Sequence, residues 1–276
     1  MNTLTVFSLR RRFTIEVLNS KSYNHDIIAE LYDLFETTTD DIQLIKELIN
    51  YKGQLNILEC FCGTGRILIP LALEGHKICG LDLSPNMLNR AINKVNHLDY
   101  EVRDRITLRQ EDVLESNWGY RYDLIIMGGN AFYELPSAES QERCIKKAFE
   151  ALPIGGLLFI DNNDYKGNWG KSDFVNERTI FEGECSDGTL GRYTLKNHSF
   201  DDENNILHYS HKLYISKNSE ESVFEYKSRK HPVTADEIKG WLHKYNFKII
   251  NLFGNRNGEK YNDESNRAIF LAEKIK

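Results

Sequence analysis

Apolar and polar positions change period along this chain. Nearly continuous apolar runs at 55–60, 77–82, 122–127 and 156–161 have the length of strands buried on both faces. "RITLRQ", 105–110, alternates and predicts another strand. The intervening segments have helical spacing; in 138–152, Ile145, Ala148, Phe149 and Leu152 form one stripe. Ahead of the first strand, residues 22–53 predict helix. "TTTDDIQLIKELINYKG" sets Ile42, Ile45, Leu48 and Ile49 on one face, with Thr39 to cap it, Asp40 and Asp41 at its positive end and Gly53 to end it. Alternating β and α units predict an α/β fold, a parallel sheet with helices on both faces.

The period shifts after Asp161. "RTIFEGEC", "RYTLKNHSF", "ILHYSHKLYI" and "SVFEYKSRK", separated by "SDG" and "DDENN" among other breaks, predict antiparallel strands within 174–231. "TADEIKGWLHKYN" returns to helix, with Thr234 and Glu237 as a capping box, and "FKIINLF" and "RAIFLAEKI" supply two closing strands. The expected division is an N-terminal arm and helical cap (1–53), a ligand-binding core (54–165), an antiparallel insertion or lid (166–232), and a closing helix and strands (233–276).

Composition narrows the class. The 276 residues are 41% hydrophobic and 28% charged with net charge −6, an ordinary globular balance that argues against a polyanionic partner such as nucleic acid. "RRR" at Arg10–Arg12 is the one tight basic run, shorter than a nucleic-acid tail, and reads as a solvated face or an oligomer contact. Five cysteines without framework spacing, no signal-peptide pattern and no run near the ~18 apolar residues of a membrane span predict a cytoplasmic protein with no membrane partner.

"ECFCGTG" follows the first strand and opens a helix. That arrangement points backbone N–H groups and a helix N-terminus at a ligand. Gly63 and Gly65 permit close backbone approach, and Asp82, ending the next strand, suits two ribose hydroxyls. Pro70, beyond the turn, predicts a kinked early helix. The third glycine of the dinucleotide fingerprint is replaced by Leu68, which disfavours an NAD-dependent dehydrogenase. Glu59 suits a cationic part of the ligand, Asp112 an adenine amine and the Val113 N–H a ring nitrogen. A nucleoside carrying an amino acid, S-adenosylmethionine, meets these demands. The fourth strand ends in Gly128, Gly129 and Asn130, where the methyl group would emerge.

In order, "ECFCGTGR", "GLDLSPNML", "QEDV", "YDLIIMGGNAFYEL" and "ALPIGGLLFIDN" resemble the motifs of the class I S-adenosylmethionine-dependent methyltransferases. The resemblance implies a Rossmann-like, mostly parallel seven-stranded sheet with an N-terminal helical cap and an antiparallel β insertion. It implies S-adenosylmethionine as cofactor, lined by Glu59, Cys62, Gly63, Gly65, Asp82, Leu83, Met87, Glu111, Asp112, Val113 and Gly128, with Tyr23 and Tyr32 closing from the cap. "GGNAFYELP" with "FIDNNDYKG" resembles the small-molecule N-methyltransferases, the glycine and aminosugar enzymes among them. Glycine N-methyltransferases place an arginine after the fifth strand to grip a carboxylate; the matching residue here is Asn163, which cannot form that charge-assisted pair.

Asn130, Tyr133, Tyr165 and Tyr209 are the expected orienters of a small-molecule acceptor, and His208 or His211 the expected base where one is needed. An amine acceptor is the first expectation and a hydroxyl acceptor the alternative. An RNA methyltransferase is disfavoured because "GNAFYELP" stands where base-directed enzymes carry a proline-aromatic motif. His208 and His211, three apart on a strand, face opposite sides, so no metal site is expected. A homo-oligomer, assembled through the N-terminal arm, is compatible with the sequence.

Overall fold

The computed structural model describes the backbone of residues 11–15 and the whole of residues 25–167 and 169–276. The first part of the chain runs β1 (Arg11–Ile15), α1 (Asp26–Phe35), α2 (Asp40–Ile49), β2 (Asn56–Cys60), α3 (Leu68–Leu73), β3 (Lys77–Asp82), α4 (Pro85–Asn96) and the single turn α5 (Tyr100–Arg103). β4 (Ile106–Gln110), β5 (Leu124–Met127), α6 (Ala138–Ala151) and β6 (Leu157–Asn163) follow. Four long strands come next: β7 (Arg178–Glu184), β8 (Leu190–Asp201), β9 (Ile206–Lys217) and β10 (Glu220–Lys230). α7 (Ala235–Lys244), β11 (Phe247–Phe253) and β12 (Arg267–Lys274) close the chain.

Seven strands make the main sheet in the order β11-β12-β6-β5-β2-β3-β4. β12 pairs antiparallel with both neighbours, while β6, β5, β2, β3 and β4 pair in parallel. Side chains alternate between the faces. Leu58, Leu81, Ile125, Met127, Leu158 and Ile160 pack in one core with residues of α6 and α7. Ile57, Ile78, Leu124, Ile126, Leu157 and Phe159 pack in a second with residues of α2 and α3. β2 lies between β3 and β5. The winding reverses there, which opens a crevice at the strands' carboxyl ends.

The second sheet has the order β1-β10-β9-β8-β7. Its four long strands are the alternating segments predicted above. β1, in the N-terminal arm, adds to it in parallel with β10, a pairing that nothing in the local pattern announces. The N-terminal helix is also two helices, with Glu36–Thr39 between them. α1 buries Ile28 and Leu31 against Tyr193, Leu213 and Tyr226 of the second sheet. α2 buries Ile42, Ile45 and Ile49 against the main one. Thr39 holds the N-cap position of α2 without a side-chain cap bond. The expected kink at Pro70 is absent: α3 starts at Leu68, so Pro70 lies in its first turn, where the N–H has no intrahelical partner to lose.

One chain of ion pairs fastens α2 to the main sheet. Asp41, wholly buried, takes both Arg66 terminal nitrogens at 2.7 and 2.6 Å. Arg256, in the β11–β12 connection, lies 3.6 Å from Asp41 and 2.8 Å from the buried Asp161 at the end of β6. Arg267 completes the pairing of Asp161. Burial alone would push the Asp41 carboxyl up; the hydrogen bonds and charge of Arg66 outweigh it and hold the group below its ordinary value. Removing one member strands buried charge. Asp41→Ala is therefore expected to lower the unfolding free energy by about 3 kcal/mol in urea titrations, against a much smaller loss for Lys46→Ala, whose partner Glu74 is exposed to solvent.

Candidate active site

The site grows from the turn between β2 and α3. The turn needs positive φ at three places, Phe61 (62°), Gly63 (54°) and Gly65 (81°). Phe61 pays the steric cost that the glycines avoid, on the order of 1–2 kcal/mol. β3 packs hard beneath it: a Cβ on Gly80 would stand 2.6 Å from Leu68 and 2.8 Å from the Cys62 sulfur. The Cys62 N–H donates to the Leu81 carbonyl at 2.9 Å, and the Gly63 N–H to Asp82 Oδ2 at 2.8 Å. Asp82 Oδ1 accepts from the Ser84 N–H at 2.8 Å, which sets the start of α4 and places Met87 in its buried first turn. Leu83 stays 40% exposed at the rim. Burial pushes the Asp82 carboxyl up despite the N–H groups of Ser84, Gly63 and Leu83.

Glu59, at the end of β2, is 3% exposed, and among the described residues its Oε2 has no hydrogen-bond partner. Burial pushes its pKa well above the carboxylate range, opposed by nearby Arg66. A buried carboxylate oxygen left without a donor, beside a glycine turn, fits an ammonium-bearing ligand.

α1 clamps the same turn from above. Asp33 accepts from Thr64 Oγ1 at 2.5 Å, Lys94 Nζ at 2.6 Å and Arg90 Nε at 2.9 Å. The neighbouring Tyr32 hydrogen-bonds Arg66, and burial raises its pKa. Tyr23 lies outside the described residues. At the end of β4, Glu111 forms a two-pronged pair with Arg109 at 2.8 and 2.7 Å. Asp112 Oδ1 caps the Leu114 N–H at 2.8 Å, and Val113 is buried behind it.

After β5, Gly128 and Gly129 lead into Asn130, itself at φ 66°. Its N–H donates to the Asp161 carbonyl at 3.2 Å and its Oδ1 accepts from the Asn163 N–H at 2.7 Å. The ends of β5 and β6 are thereby fastened together. A 3-10 turn, Ala131–Glu134, then brings Tyr133 and Glu134 beneath the second sheet. Tyr209 donates to Glu134 Oε2 at 3.0 Å, and Lys230 Nζ to Oε1 at 2.7 Å. Lys230 also stands over the Tyr133 and Tyr209 rings, 5.1 and 4.9 Å from their centroids. His211 packs edge-on to Tyr209 and stacks on Tyr193. Tyr165 stacks on Trp169 beside Phe200, and the Trp169 and Phe200 rings pack against the cluster that contains Tyr209.

The structure thus brings Asn130, Tyr133, Tyr165 and Tyr209 to one end of the sheet, and corrects the expectation for His208. That residue is exposed on the outer face of β9, whereas Tyr209 and His211 share the inner one. Glu134, Lys230 and Asp33 were not anticipated. Their partners lie tens of residues away, so no local spacing signals them. Among the described residues, no helix is long and apolar enough to cross a membrane.

Residues 58–158 match the family model for a methyltransferase domain. The chain is 24% identical over 240 residues to a putative methyltransferase of Geobacillus sp., covering 83% of this chain and 89% of that one. It is 22% identical over 281 residues to a glycine/sarcosine N-methyltransferase of Aphanothece halophytica, covering 94% of each. Among solved structures, it superposes on an S-adenosylmethionine-dependent methyltransferase from Clostridium acetobutylicum with TM-score 0.73 and 17% identity, over 91% of this chain and 99% of that one. A sugar N-methyltransferase from Streptoalloteichus gives TM-score 0.68 and 17% identity over 89% and 93%. With this strand order and glycine turn, and a methyltransferase domain matched over residues 58–158, the chain has the class I methyltransferase fold and is an S-adenosylmethionine-dependent methyltransferase, with S-adenosylmethionine as methyl donor.

Glu59 carries a consequence for stability. A carboxyl raised in the folded state adds stability below its unfolded pKa and loses it as pH climbs through the folded value. At neutral pH the burial of Glu59 therefore works against the ligand-free fold. Glu59→Gln is expected to raise the melting temperature of ligand-free protein by a few degrees at pH 8, and by less at pH 5, in calorimetric scans.

Proposed function

We propose that the protein transfers the methyl group to the nitrogen of a small amine. In this reading Glu59 receives the cofactor's ammonium, Asp82 its ribose hydroxyls, and Asp112 with Val113 its adenine. Cys62, Gly63, Gly65, Leu83, Met87, Glu111 and Gly128 line it, and Tyr32 closes it from α1. The observation that carries the choice of nitrogen is the state of the ionisable groups where β5 meets the second sheet. Burial pulls His211 down to about 4, so it is neutral and a poor base near neutrality. For Glu134, burial acts upward but the charge and hydrogen bond of Lys230 prevail, leaving it below the ordinary carboxylate range. Burial pushes Tyr133 far from phenolate. Among the described residues, none of these three groups is poised to deprotonate a hydroxyl during the reaction. An amine that arrives with its lone pair free needs no such group.

The bound cofactor supplies a methyl group on a positively charged sulfur. The chain's own part is alignment and exclusion of water, worth roughly 7–11 kcal/mol in favourable cases. Asn130, with its Oδ1 fixed on Asn163, keeps its amide nitrogen at the junction of β5 and β6, and Tyr133 and Tyr209 wall the acceptor. The similarity to glycine/sarcosine and sugar N-methyltransferases supports nitrogen as the acceptor atom.

The cofactor assignments have direct tests. Asp82→Asn keeps an acceptor for the turn but removes the charge, and should weaken S-adenosylhomocysteine binding about tenfold by calorimetry; unchanged affinity would remove Asp82 from the ribose. Ammonium binding beside Glu59 favours its ionised form, so binding should release a proton. Affinity should then rise with pH between the pKa of the complex and the raised value of the free protein, and Glu59→Gln should flatten that slope.

A further inference from the structure

Resting on that N-methylation reading, we infer that the acceptor is a hydroxylated amine of the amino-sugar kind rather than an amino acid, its hydroxyl edge held by Asn197 and His211 and its nitrogen beside Glu134.

The inference starts from two buried polar atoms. Among the described residues, Asn197 Oδ1 and His211 Nδ1 have no hydrogen-bond partner, and the residues are 3% and 6% exposed. They occupy neighbouring strands of the second sheet: Asn197 pairs with Tyr209, and His211 with Leu195 and Tyr226. Strand alternation puts Asn197, Tyr209 and His211 on the face turned toward Glu134. Leaving such groups dry and unpaired costs on the order of 1–3 kcal/mol each. Native proteins keep such groups where a ligand or an ordered water completes them, and here two of them share one face turned toward an ionised carboxylate. Solvent still reaches this corner, because the Glu134 side chain is 38% exposed.

The chemistry of the unmet groups selects the ligand. A ring nitrogen of neutral histidine without its proton accepts only. The carboxylate of Glu134 is likewise an acceptor. An amide presents oxygen or nitrogen according to its flip, and a hydroxyl satisfies either. The ligand must therefore bring donors, which hydroxyls and an amine N–H provide and a carboxylate does not.

Among the described residues, the cations around this end of the sheet are already paired with carboxylates of the protein. Arg66 is committed to Asp41, Arg256 and Arg267 to Asp161, and Lys230 to Glu134. Asn163 stands at the position matching the arginine of glycine N-methyltransferases. The Glu134–Lys230 pair is net neutral, so its field does little to keep the amine protonated. One amine N–H can donate to Glu134 while the lone pair faces the methyl group. The C–S bond then breaks as the N–C bond forms, positive charge passes from sulfur to nitrogen, and the excess proton leaves to water afterwards.

Methyl transfer from labelled S-adenosylmethionine to an amino hexose, glycine, sarcosine and catechol tests this with the full chain. The amino hexose should exceed glycine in kcat/KM by at least tenfold. His211→Phe keeps the stack on Tyr193, and Asn197→Leu keeps the volume. Each should raise KM for the amino hexose about tenfold, the loss of one hydrogen bond, with kcat changed far less. S-adenosylhomocysteine affinity should be unaltered, which shows the cofactor site intact. An acceptor lacking the matching hydroxyl should be insensitive to the corresponding variant. Preference for glycine or sarcosine, unchanged KM in both variants, or no transfer to the amino hexose while the cofactor binds would each overturn the inference. Transfer to catechol with none to any amine would overturn N-methylation itself.

Discussion

The structure depends on carboxylates kept out of water at the ends of two adjacent parallel strands. Glu59 and Asp82 sit where β2 and β3 stop, and both are forced toward their neutral forms by burial. Asp82 is answered by the backbone of the turn and of α4. Glu59 is answered only in part, one of its oxygens lacking a donor. The fold tolerates this because Arg66 stands near and is itself held by Asp41, which shares Arg256 with Asp161. The frustrated group and the charges that stabilise its surroundings belong to one electrostatic unit, which spans α2, the turn and the ends of β6 and β12.

A second unit does the same for the opposite wall. Glu134 gathers Lys230 and Tyr209 from two strands of the second sheet onto the turn that follows β5. Asp33 does so for α1, taking donors from the glycine turn and from α4. Each is a carboxylate on one layer with cations or hydroxyls from another. Such pairs contribute little net stability when compared with apolar packing, but fix relative geometry tightly. For a reaction whose catalysis is alignment, that geometry is the useful product.

Much of this architecture was legible in the chain. The strands of the main sheet announce themselves because burial on both faces demands unbroken apolar runs, and the second sheet by alternation. The glycine turn and Asp82 could be placed because close approach and strand ends constrain residue type locally. What escaped is long-range. Asp41 reads as a residue suited to a helix start, and only the fold shows it as the buried partner of Arg66 and Arg256. The break between α1 and α2 is hidden because both halves are amphipathic, though they face different sheets. His208 and His211 are equivalent on a strand pattern until one knows which face looks inward.

The pairing of β1 with β10 reaches beyond the catalytic site. Arg11–Ile15 aligns with Ser222–Tyr226, so this segment finds its place only after β10, some two hundred residues further along the chain, has been made. Loop closure over that distance is entropically slow. The edge of the second sheet is consequently sealed only when these two distant segments meet, and until then the outer rim of β10 is an open template to which a neighbouring chain can add.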